Sequence, residues 1–136
     1  MRAWRRRLEE GVELADDVKK KLLELARRAR QLGFLDAERK LRKLAETSEE
    51  AMEKARRGDM RAFSERMRDV VEGIDSVRRE MMERARRKEE REKALRMSEE
   101  LKKVRDMTES EHAHIVRMAK EEMNRQMLLE AQLVYT

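Results

Sequence analysis

The chain has 136 residues, a length that suits one domain with a modest core. Charged residues make up 48% and aromatics 3%, the formal net charge is +5, and there is neither proline nor cysteine. Without cysteine there is no disulfide framework, thiolate metal site or cysteine nucleophile, and redox compartment leaves no mark.

The missing prolines favour long uninterrupted helices. The charges nearly cancel in sign and the apolar residues are periodic, so a folded bundle is expected rather than a disordered chain. No apolar run approaches the roughly 20 residues of a membrane span, and Met1-Arg2-Ala3-Trp4-Arg5-Arg6-Arg7 lacks an apolar signal core. Neither membrane insertion nor export is expected, which leaves a cytoplasmic or recombinant setting.

Trp4, Leu8, Gly11, Ala15, Val18, Leu22, Leu25, Ala29 and Leu32 alternate at spacings of four and three, a heptad seam that predicts a helix from about Arg2 to Leu32. Gly33 is its expected C-terminal cap, because a residue without Cβ enters the left-handed region most easily. A second seam of Ala37, Leu41, Leu44, Ser48, Ala51 or Met52, and Ala55 ends at Gly58-Asp59, where glycine stops one helix and aspartate caps the next. The third helix carries Met60, Phe63, Met67, Val70, Ile74, Val77 and Met81 on one face. From Arg84 to Lys93 the apolar face nearly vanishes, which leaves two readings. Either a polar turn near Lys88 to Glu90 starts a shorter helix carrying Leu95, Leu101 and Val104, or one long helix continues through a solvated stretch. Thr108-Glu109-Ser110-Glu111 matches a capping box and predicts that a last helix starts near Glu109. Residues 1–136 are thus expected to form a single all-α domain, an antiparallel helical bundle of four to five helices.

The Gly58-Asp59 turn followed by Ala62-Phe63, the Ala85-Arg86-Arg87 helix end and the proline-free heptads resemble de novo designed four-helix bundles, some of which hold small molecules or porphyrins. The resemblance covers turns and texture and implies a scaffold. An arginine-rich surface is equally a habit of small thermophile proteins.

His112 and His114 are the only imidazoles, and Glu109 to His112 and Glu111 to His114 repeat the Glu-x-x-His spacing of di-iron bundles. Two histidines two residues apart point in opposing directions from a regular helix, so they cannot share one ion. His112 shares a face with Val116, Ala119 and Met123 and is the candidate inward ligand for a metal or haem; His114 is expected to face solvent. Gly11 and Ser48, both on seam positions, are candidate cavity residues, with close packing as the competing account of each. No cofactor is assigned. No nucleophile, base and orienting acid assemble, and there is no glycine-rich phosphate loop, so enzymatic activity is not expected. The basic runs Arg5 to Arg7, Lys19 to Lys21 and Arg84 to Lys88 lack aromatic platforms and support at most non-specific, salt-sensitive nucleic-acid binding.

The last segment departs from a single stripe, with Met118, Met127 and Leu128 off its tightest face. Apolar side chains displayed at helical spacing are how helices dock onto proteins, so the leading expectation is an interaction module that meets a protein partner through its C-terminal helix. A small-molecule, haem or metal binder with an internal cavity is the alternative. Heptad seams serve a monomer and a homodimer equally well.

Overall fold

A computed structural model describes residues 2–135. Four helices, α1 (Arg2–Gln31), α2 (Leu35–Arg56), α3 (Met60–Arg84) and α4 (Lys88–Tyr135), form an up-down-up-down bundle, with no strand among the described residues. α1 packs on α2, α2 on α3, α3 on α4 and α4 back on α1, while α1 and α3 barely touch across the middle. The first three seams all turn inward. Val18, Leu22, Leu41, Phe63, Met67, Val70 and Ile74 are fully buried at the centre.

The first two turns close in the same way. Phe34 N–H donates to Ala29 and Gly33 N–H to Arg30, and Asp59 N–H donates to Lys54 and Gly58 N–H to Ala55, the paired bonds of the Schellman motif. Gly33 and Gly58 stand at φ +88 and +83, a region costly for any side chain with a Cβ. Asp59 then accepts from Ala62 N–H at 3.0 Å and caps α3.

The third turn has no glycine. It lies at Ala85-Arg86-Arg87, three residues before the expected Lys88 to Glu90, and Ala85 leaves α3 in an extended conformation. The Glu90 carboxylate reaches back to the Arg86 and Arg87 N–H groups, 3.3 and 3.5 Å away, and Arg91 donates to the Ala85 carbonyl. Glu90, at the third helical position, thus caps the start of α4 as Asp59 caps α3, while Arg91 takes up the Ala85 carbonyl.

Two expectations for the last part of the chain are corrected. No helix begins at Glu109, because α4 is continuous over 48 residues. Thr108 is fully buried and donates to the Val104 carbonyl at 2.6 Å, the back-bond of a mid-helix threonine and not a cap. Leu95 is half exposed, and Ala94 and Met97 take the core positions in its place. The helix count among the described residues is four.

Candidate functional site

Side-chain contacts fix how far each helix covers α4. Against α1, Arg28 pairs with Glu100, Lys21 Nζ lies 3.3 Å from the Met107 sulfur, and Arg7 Nε donates to Glu122 at 2.9 Å, all in one antiparallel register. Against α3, Arg78 donates to Ser98 at 3.0 Å and Arg105 to Asp75 at 3.1 Å. Carried along the axes, these registers set Met60, the first residue of α3, level with Met118, and Arg2 level with Met127. At 1.5 Å per residue α4 therefore runs roughly 26 Å beyond α3 and roughly 12 Å beyond α1.

The lower end of the molecule is thus an arm: first two helices, α1 up to about Glu10 with α4 from Met118 to Met127, then α4 alone. The side of α4 that meets α3 passes through Ser98, Arg105 and His112. Steps of three, four and seven residues carry that same side on to Val116, Met123, Met127 and Val134. Above Met118 α3 covers it; below, α3 has ended, and only the Trp4 end of α1 flanks it among the described residues. Met123 is 45% exposed, Met127 61% and Val134 79%, and Leu128 and Leu129 are exposed beside them. Ala3, Trp4, Glu122, Met123, Gln126, Met127 and Glu130 line a shallow cleft of about 220 Å³ between the two helices of the arm. Beside it Arg7 donates to Glu122 and, at 2.6 and 2.7 Å, to both oxygens of Glu10. Those hydrogen bonds, the Glu122 one first, raise the Arg7 pKa above its already high value.

Of the expected docking residues, Met127 and Leu128 are exposed on the arm, whereas Met118 is half-buried at its root. Met123 and Val134 lie on the same side of α4 as Met127 without being among the expected docking residues, and Leu129, two residues on from Met127, is exposed on the opposite side. Steps of four and seven residues from His112 carry that signal, but only the contacts with α3 reveal which stripe of α4 they follow.

The remaining candidates lie within the packed body. A Cβ on Gly11 would sit 3.4 Å from the Phe63 ring and 3.5 Å from Ala55, so the room left by Gly11 is taken up by that ring. The Ser48 hydroxyl is fully buried and donates to the Ala15 carbonyl at 2.7 Å, tying α2 to α1. Gly73 makes a notch filled by Leu44. His112 points inward, 7% exposed, with its Nδ1 buried and without a hydrogen-bond partner. Burial holds its pKa below the ordinary value, Arg68 adds to that effect, and Glu109 opposes it. His114 is exposed beside Arg117, and no three His, Asp or Glu side chains among the described residues converge as metal ligands.

The basic runs are interleaved with carboxylates. Lys19 pairs with Glu49, Lys20 with Asp16 and Lys21 with Asp17, which suits a solvated helical surface. At the opposite end from the arm, Phe34, Ala37, Val77 and Met81 line an open cleft of about 470 Å³. Asp36 and Arg84 at its rim pair with each other. No helix is long and apolar enough to cross a membrane among the described residues. Comparison with protein-family models, curated proteins and solved structures finds no match.

Proposed function

We propose that this chain is an interaction module, a rigid four-helix body that displays the arm of α1 and α4 as a docking surface for a protein. One observation carries the reading: the apolar stripe that α3 covers in the body continues past the end of α3 through Met123, Met127 and Val134, increasingly exposed. A helix whose exposed end is apolar on nearly every side suits burial against another protein better than it suits water. The resemblance to designed bundles fits the same reading of a stable body presenting one face.

The test is the double substitution Met127→Glu with Leu128→Glu, compared with the parent at sub-micromolar concentration, where the chain is measured alone. The thermal midpoint is expected to stay within about 2 °C, since neither side chain is buried within the chain. The parent is expected to enhance the fluorescence of an apolar dye and the variant to lose that enhancement. A fall in midpoint of more than about 5 °C would place both residues in the core and remove the docking reading.

A further inference from the structure

The arm carries both halves of a contact. Its outer part is a single helix, residues 128–135, roughly 12 Å long. Its inner part is a two-helix cleft, bounded by the start of α1 and by Met118 to Met127, of roughly the same length. We propose that the occupant of each cleft is a second copy of this chain: the two copies are related by a twofold axis across the helices, so that residues 128–135 of each lie in the α1–α4 cleft of the other. The inference rests on the reading of the arm as a docking surface and names its partner.

Geometry selects this arrangement. The cleft is the layer of α1 and α4 that, higher up, is covered by the layer of α2 and α3. A helix entering it continues an interface already present in the body. Two copies pointing the same way would drive their α2–α3 layers into each other, whereas head-to-head copies leave each body beyond the other's tip. The contact is then isologous and closes on itself, as a twofold interface must.

Charge agrees with the fit. Arg5 lies two heptads before Lys19, on the side of α1 that faces α2, where Lys19 pairs with Glu49 at 3.4 Å. At the level of Arg5, α2 has already ended, so that position lacks the carboxylate α2 supplies above. Glu130 is the sole charged residue from Met127 to Tyr135 and supplies one from the second copy. Burial agrees as well: Met123, Met127 and Val134, the three on the side of α4 that α3 covers higher up, are 45%, 61% and 79% exposed, so a second copy covers side chains that the chain itself leaves open.

Sedimentation equilibrium of the full chain from about 1 to 200 μM tests the proposal. The expected mass rises toward twice 16.4 kDa, and the thermal midpoint rises with concentration, because association stabilises the folded state by mass action. Met127→Glu with Val134→Glu is expected to weaken association about 30-fold or more and to abolish the concentration dependence. The chain has no cysteine, so Arg5→Cys with Glu130→Cys reports the register, and oxidation is expected to yield a disulfide-linked dimer. A parent that stays at 16.4 kDa throughout, a dimer that survives Met127→Glu with Val134→Glu, or a dimer in which the paired cysteines fail to crosslink overturns the proposal. A monomeric parent whose midpoint is unmoved by the Met127 and Leu128 substitutions removes only the second copy. A midpoint that falls removes the docking surface itself.

Discussion

Gly11→Ala separates packing from cavity at the one glycine on the α1 seam. Glycine in a helix interior costs about 1 kcal/mol relative to alanine. The new methyl would lie 3.4 Å from the Phe63 ring and 3.5 Å from Ala55, contacts at the near edge of ordinary van der Waals distance. Nothing has to move far, so the propensity term wins and the variant is expected to gain about 1 kcal/mol, raising the midpoint by about 3–5 °C. Gly73 gives the internal contrast, since its added Cβ would come 3.1 and 3.2 Å from two Leu44 carbons and closer still to a third. There Leu44 must change rotamer, which offsets the propensity gain and leaves the stability of Gly73→Ala within about 0.5 kcal/mol of the parent. Gly11→Leu completes the series: with the Phe63 ring filling the space, overpacking costs about 1–3 kcal/mol. Urea denaturation of the three variants and the parent, fitted with a shared slope, measures all of these. A Gly11→Leu variant more stable than the parent would mean that the space is vacant and would refute the packing argument.

Two other substitutions test a cap and a buried base. Asp59→Ala removes the bond to Ala62 N–H and is expected to lower stability by about 1 kcal/mol, read as a thermal midpoint about 3–5 °C lower; an unchanged midpoint would show that water caps α3 equally well. For His112, burial first and then Arg68 push the folded pKa below the ordinary 6.5, so the unfolded chain binds the proton more readily. Stability is therefore complete above about pH 6.5 and is lost as the pH falls through the folded pKa. Urea midpoints at pH 7.5 and 5.5 should differ more for the parent than for His112→Leu, and equal differences would mean that another group governs acid sensitivity.

The parts of the fold readable in the sequence are those held by backbone geometry and simple period. Gly33 and Gly58 announce their turns because few other residues tolerate φ near +85. The seam from Met60 to Met81 is buried along its whole length. The third turn lies three residues before the position its charged run suggests, because Glu90 caps it with a carboxylate and glutamate within a charged run carries no positional signature. Thr108-Glu109-Ser110-Glu111 misled for a related reason: the same letters serve a cap or a mid-helix threonine bonded to Val104, and only burial decides. At the arm, Met127 and Leu128 stood out as leaving the tight stripe. The limit of coverage was invisible, since it depends on the register between Arg7 and Glu122, residues 115 apart in the chain.

That same pairing makes the molecule nearly a ring. Arg2 and Tyr135, the first and last described residues, lie on adjacent helices at one end, and the overhang of roughly 12 Å, with the roughly 9 Å between packed helices, is a span that about five extended residues retrace. Joining Arg2 to the tip through such a linker and reopening the chain at Gly33 would keep every helix and every interhelical register. It would also turn the longest-range contact in the bundle into one between neighbouring helices of a hairpin. The order in which the four helices are strung is thus separable from how they pack.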